Sequence, residues 1–119
     1  MYAYEIPNLR FSLPAGGAVA HRRFVAVVDE KATQATAATP VIGASMNEVT
    51  ADEIAKNERI IEIADGIVMV EAAGAITSGA LVYADANGMA TTTKGTAEAA
   101  GTAITAATGA GQLVAVKIK

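Results

Sequence analysis

Residues 60–70 read Ile-Ile-Glu-Ile-Ala-Asp-Gly-Ile-Val-Met-Val. Two short β-branched runs flank Asp65-Gly66, and both turn residues tolerate positive φ, so the stretch predicts strands at 60–63 and 66–70 joined by a tight hairpin. The second run is apolar on both faces, as is Phe24-Val25-Ala26-Val27-Val28. A strand of that kind needs cover on its outer side from another strand, a chain terminus or another subunit.

Working outward, the same rhythm of short apolar runs and turn residues predicts further strands at 24–29, 41–45, 81–84, 89–92, 103–106 and 113–118. The expected fold is all-β: a small β-barrel or β-tulip of about eight short strands, with an extended N-terminal arm and at most one short helix. Asp85-Ala86-Asn87-Gly88 has the composition of a second hairpin turn. The last strand alternates cleanly, Val114, Val116 and Ile118 on one face and Ala115, Lys117 and Lys119 on the other. The helix is expected from Thr50 to about Lys56, because Thr50 and Glu53 have capping-box spacing.

Residues 1–15 are expected as an extended arm and 16–119 as a single barrel domain. Pro7 and Pro14 bias Ile6 and Leu13 toward extended geometry, and Tyr2, Tyr4 and Ile6 alternate onto one face, with Phe11 further along. Such a stripe lies either along an edge of its own barrel or on a neighbouring subunit or partner. Segments 31–40 and 91–110, rich in Ala, Thr and Gly, predict surface loops or irregular edge structure. Gly17-Ala18-Val19 before Phe24-Val25 echoes Gly74-Ala75-Ile76 before Leu81-Val82 at an offset of 57. Identities are few, and two strand-turn units resemble each other through shared physical demands alone, so the echo is not read as a repeat.

Of the 119 residues, 52% are apolar, but alanine supplies 28 of them, so the core-forming side chains are thin for the length and association with partners is the expected source of further stability. Nine basic and twelve acidic residues, with no basic run, argue against nucleic acid. Residues 48–71 carry seven acidic and two basic side chains, whereas Arg10, Arg22 and Arg23 make the front mildly basic, a polarity suited to head-to-side packing of copies or docking on a basic surface. The absence of cysteine excludes disulfides and thiolate metal sites, and one histidine leaves no His-rich site. No stretch approaches the ~20 apolar residues that span a bilayer, so no membrane is expected.

Candidate chemistry does not assemble. A calcium loop opening at Asp85 would need a carboxylate at position 96, which is Thr96. Gly109-Ala110-Gly111 lacks the third glycine of a dinucleotide loop, and Ala80 stands where a phosphate loop needs lysine. His21 with Ser12, Ser45 or Ser78 has no orienting carboxylate at a useful spacing and reads as an exposed turn residue, and Met46, Met69 and Met89 read as core fillers. No cofactor, metal or catalytic residue is expected, and the chain is not read as an enzyme.

The second half carries a Gly-Ile-x-x-Val-Glu-Ala-x-Gly-Ala-Ile-x-x-Gly-x-x-Val run on Gly66, Ile67, Val70, Glu71, Ala72, Gly74, Ala75, Ile76, Gly79 and Val82. It continues through Asp85 to Gly88 and then Gly101, Ala103, Ala106, Gly109, Leu113, Val114 and Val116. This pattern resembles the small capsid decoration, or cement, proteins of tailed bacteriophages over about residues 66–118. The resemblance implies a β-barrel or β-tulip subunit, made in the host cytoplasm, that forms homotrimers on the outer face of an icosahedral head at three-fold and quasi-three-fold positions and clamps the major capsid protein. Under it Tyr2, Tyr4, Ile6 and Phe11 contact the capsid or a neighbouring protomer. The alternative from the residues alone is a β module that binds carbohydrate or a cell surface, with few aromatics to do so.

Overall fold

The computed structural model describes the backbone of residues 6–119 and the side chains from Leu9 onward. Among the described residues nine strands and one helix follow in the order β1 (Ile6–Pro14), β2 (Phe24–Val28), β3 (Lys31–Gln34), β4 (Gly43–Ser45), α1 (Ala51–Lys56), β5 (Ile60–Glu71), β6 (Leu81–Ala84), β7 (Ala90–Thr91), β8 (Gly101–Ala103) and β9 (Leu113–Ile118). The antiparallel sheet has the order β3-β2-β4-β5-β9-β8-β6-β7, with β1 also on β5, and curls into a half-barrel.

The hairpin expected at Asp65-Gly66 is not formed: β5 runs unbroken for 12 residues. A hairpin requires its two arms to pair with each other, and here each arm has a better partner. Ala64 pairs with Arg10 of β1 on one edge and Ala44 of β4 on the other, and Ile67 pairs with Ile6 on one edge and Lys117 of β9 on the other. Gly66 does take positive φ (115°), but as a bend opposite Pro7, where the β1 register shifts, with the Asp65 carboxylate accepting from the Gly66 amide at 2.8 Å.

Segment 31–34, expected as loop, is the edge strand β3. It is closed onto β2 by the two-residue turn Asp29-Glu30, whose φ values of 52° and 65° belong to a tight hairpin although neither residue is glycine. Residues 101–107, also expected as surface, alternate buried and open positions: Gly101, Ala103, Thr105 and Ala107 are buried, and the strand there is 101–103 rather than 103–106. The helix starts at its expected cap. Thr50 Oγ1 accepts from the Glu53 amide while Glu53 Oε1 accepts from the Thr50 amide, which holds the Glu53 carboxyl below its ordinary range.

The offset of 57 is a structural repeat. Adding 57 up to β2, 58 from β3 to Val49 and 53 from Arg59 carries the pairings of an N-terminal unit (9–65) onto those of a C-terminal unit (66–118). Val25↔Gly43 becomes Val82↔Gly101, Val27↔Ala32 becomes Ala84↔Ala90, and Ala44↔Ala64 becomes Thr102↔Lys117. The isolated bridges Ala15↔Ala32 and Val19↔Val49 become Ala72↔Ala90 and Ile76↔Ala107. Side-chain bonds follow as well: the Glu62 amide donates to Asn47 Oδ1 at 2.8 Å, the Ala115 amide to Thr105 Oγ1 at 3.0 Å. The jump from 58 to 53 marks α1, which the C-terminal unit replaces with a short turn.

Each unit has its own core. The smaller cluster, Ala15, Val19, Val25, Ala32, Val49, Ile61 and Ile63, maps position by position onto Ala72, Ile76, Val82, Ala90, Ala107, Val114 and Val116 of the larger one. The two lie on opposite faces of β5, Ile61 and Ile63 turned to one, Ala64, Val68 and Val70 to the other. Two cores arranged this way give extents of 40 × 27 × 22 Å.

The repeat reaches its closest approaches. A Cβ on Gly43 would strike the Ala64 carbonyl, and a Cβ on its counterpart Gly101 the Lys117 carbonyl, the counterpart of Ala64. Gly43→Ala and Gly101→Ala are each expected to lower stability by about 1–3 kcal/mol through backbone displacement. Gly74→Ala, which meets nothing, is expected within about 0.5 kcal/mol of the unaltered chain. Urea denaturation of the three variants checks this.

Candidate functional site

The corner His21-Arg22-Arg23 enters β2 through a tight turn, and Arg22 has φ 62° where the C-terminal unit has Gly79 at 87°. His21 is exposed in that turn. The Arg22 amide donates to the Ser45 carbonyl at 3.2 Å and its carbonyl accepts from the Glu71 amide at 2.9 Å. Arg23 Nη2 and Nε lie 3.0 and 3.3 Å from Glu71 Oε1, and Nη1 donates to the Asn87 carbonyl at 3.0 Å. One guanidinium therefore ties β2, the end of β5 and the β6–β7 turn together. Of the three arginines expected at an electrostatic contact, Arg23 is committed to this bracket, Arg22 is half-buried, and Arg10 is exposed on β1.

The hydroxyls and carboxylates singled out in the sequence are engaged in the same structural way. Ser45, fully buried, donates to the Ala20 carbonyl at 2.6 Å and accepts from the Arg23 amide at 3.1 Å. Asp85 Oδ1 accepts from the amides of Asn87 (2.8 Å) and Met89 (2.9 Å), which closes the expected hairpin, with Gly88 at φ 74°. The Gly88 carbonyl in turn accepts from the Phe24 amide at 2.8 Å, so this turn docks on the N-terminal unit. Among the described residues no three His, Cys, Asp or Glu side chains gather as metal ligands, and no helix is long and apolar enough to cross a membrane.

Tyr2 and Tyr4 lie outside the described residues. Ile6 opens β1 opposite Ile67, and Phe11 and Leu13 are half-buried against the smaller core. From Ile6 to Pro14 the segment thus lies along its own β5, and β5 is the only strand that pairs along it among the described residues. What the fold leaves open is apolar area: Leu9, Val27, Val28, Ile60, Leu81, Ile104 and Leu113 are all exposed. Ile60 and Leu113 are repeat counterparts, each the first residue of its strand. The shallow cleft beside Leu81, Ala99 and Ile118, about 240 Å³, is rimmed by Lys117 and Lys119 and has no carboxylate in its lining. Sequence reading found the Asp85 turn and the need for outer cover on 24–28, where Val27 and Val28 are exposed, but not Leu81, Ile104 or Leu113, because exposed Leu and Ile on short strands look like core.

The family model for phage cement proteins matches residues 5–118. The chain belongs to the phage cement protein family. No curated protein matches this cement chain. Among solved structures it is similar to the N base of head fiber gp8.5 of bacteriophage phi29, with a TM-score of 0.68 and 19% identity over 93% of each chain. That likeness is one of fold. A cement chain is a structural component associated with the phage capsid, and the half-barrel of short antiparallel strands is its scaffold.

The bracket at Arg23 makes the cement fold sensitive at one cation. Arg23→Ala is expected to cost about 1–3 kcal/mol by leaving Glu71 and the Asn87 carbonyl unpaired, whereas Arg10→Ala, on an exposed strand face, is expected within about 0.5 kcal/mol. Thermal melts of the two variants side by side check the difference.

Proposed function

We propose that this chain decorates the outside of an icosahedral phage head and stabilises it by bridging major capsid protein subunits, as homotrimers at three-fold and quasi-three-fold positions. The observation that carries the reading is the set of large apolar side chains left open on a cement-family fold whose buried hydroxyls, Ser45 and Thr105, are bound up in holding backbone. Such area yields free energy only when covered by another surface. A standard interface takes roughly 800 Å² from each partner, about an eighth of the 6253 Å² this subunit presents, and many copies on one shell add avidity. The role is structural rather than catalytic. The polar side chains a reaction would use, Ser45, Asp85 and Arg23, are already engaged with the chain's own backbone and Glu71.

Phe11 and Leu13 belong to a wall of the smaller core, so the contact role of the arm is tested on residues 1–5 alone. The unaltered chain is expected to cosediment with undecorated heads of its phage and to raise their disruption temperature. Deletion of residues 1–5, which removes Tyr2 and Tyr4, is expected to lower occupancy about tenfold. Unchanged occupancy would remove the arm from the role. Heads that ignore the unaltered chain, or reproducible specific hits on a glycan array, would overturn the reading.

A further inference from the structure

The repeat shows how one unit closes the other's core, and which surfaces are left over. In the C-terminal unit Val68, Val70 and Ala100 are buried, because side chains from the opposite face of the N-terminal unit, Phe24 foremost, complete the larger cluster over them. Met46 packs at the margin of the same cluster. The counterparts of the covered residues in the N-terminal unit are Phe11, Leu13 and Ile42, and these are only partly buried. There the helix contributes a single apolar side chain, Ile54, and α1 itself buries nothing fully.

The covering surface also has a counterpart without a client. Phe24, 0% exposed, corresponds to Leu81, 57% exposed; Met46 corresponds to Ile104, 47% exposed. Both pairs are fixed by register and bonding: Phe24↔Ala44 becomes Leu81↔Thr102, and the Met46 amide bond to the Glu62 carbonyl becomes that of Ile104 to Ala115. The chain therefore carries one half of its internal joint at each end: an incompletely closed core mouth on the N-terminal unit and an apolar lid on the C-terminal unit. The lid cleft is rimmed by Lys117 and by Lys119, whose ammonium lies 3.7 Å from Glu98 Oε2, so the match between lid and mouth rests on their apolar side chains.

We propose that the occupant of each surface is a second copy of this chain: Leu81 and Ile104 of one copy seat on Phe11, Leu13 and Ile42 of the next, repeating between subunits the joint that Phe24 and Met46 make within one. The contact is heterologous, because lid and mouth are different surfaces, and a heterologous contact that closes makes a ring. This deepens the homotrimer of the proposed function and rests on that reading for the number of copies in the ring.

The test uses exposed positions first, so that folding is not at issue. Leu81→Glu with Ile104→Glu is expected to sediment as a 12.0 kDa monomer that keeps the β-rich circular dichroism spectrum and a cooperative melt, where the unaltered chain sediments as an oligomer. Because the chain has no cysteine, Leu13→Cys and Leu81→Cys can be mixed with a short bismaleimide. Cross-linked dimer is expected in the mixture and not in either variant alone. An oligomer that survives Leu81→Glu/Ile104→Glu, a Leu81→Cys variant that cross-links to itself as well as to Leu13→Cys, or an unaltered chain that is monomeric both free and on heads would overturn the proposal. The same mixture bound to undecorated heads separates the two readings. Binding without the Leu13–Leu81 cross-link overturns the head-to-tail joint alone, and cross-linking in a chain that ignores heads overturns the capsid role alone.

Discussion

One strand holds this molecule together. β5 is the last strand of one unit and the first of the next, paired with β1 and β4 along its first part and with β9 along its second. Side chains on a strand alternate, so a single strand can wall two cores, and β5 does: Ile61 and Ile63 enter one, Val68 and Val70 the other. Ile61, Ile63, Ala64, Val68 and Val70 are buried, with Ile67 and Met69 half-buried beside them, so the second part of β5 reads as a continuous apolar run. Gly66, at positive φ, stands where the partner on one edge changes from β4 to β9.

The division of labour between the units follows from that wall. The C-terminal unit is closed by the N-terminal one, which lends it the opposite face of its sheet. The N-terminal unit has no such neighbour in the chain and closes its core with a six-residue helix and half-exposed Phe11, Leu13 and Ile42. An asymmetric pair of similar units thus leaves apolar surface at both ends. Under the proposed role that surplus is the surface that a shell or a neighbouring copy would cover.

What was legible in the sequence was local. The capping box located α1 because Thr50 and Glu53 act within one turn, and 81–84 and 113–118 were found because their neighbours in the chain mark their ends. Asp85-Gly88 was legible because the Asp85 carboxylate makes the turn by itself. Asp65-Gly66 carried the same signal and misled, since there the decision belonged to distant partners, β1 and β9, which the dipeptide does not encode. β3 was hidden because Asp29-Glu30 turns without glycine and because Ala32, its buried residue, gives no strand signal. The repeat was visible only as an echo: one extra residue in the Asp85 turn and the insertion of α1 break the offset, and Phe24 and Leu81 share a position with opposite exposures. Open apolar surface was legible at Val27 and Val28, where a run is apolar on both faces, but not around Leu81, because nothing in a short run distinguishes an exposed Leu81 from a buried Val82 except the fold around it.

The account's central claim is that the apolar surface this two-unit arrangement leaves open is what attaches the protein to a phage shell. A cryo-electron-microscopy reconstruction of heads carrying the protein, compared with heads without it, tests that most directly. The account predicts added density on the outer surface, spanning adjacent major capsid subunits, with the surfaces around Leu81 and Ile104 and around Phe11 and Leu13 covered. Density that meets the shell or its neighbours only through polar faces, with those side chains still in solvent, would contradict it.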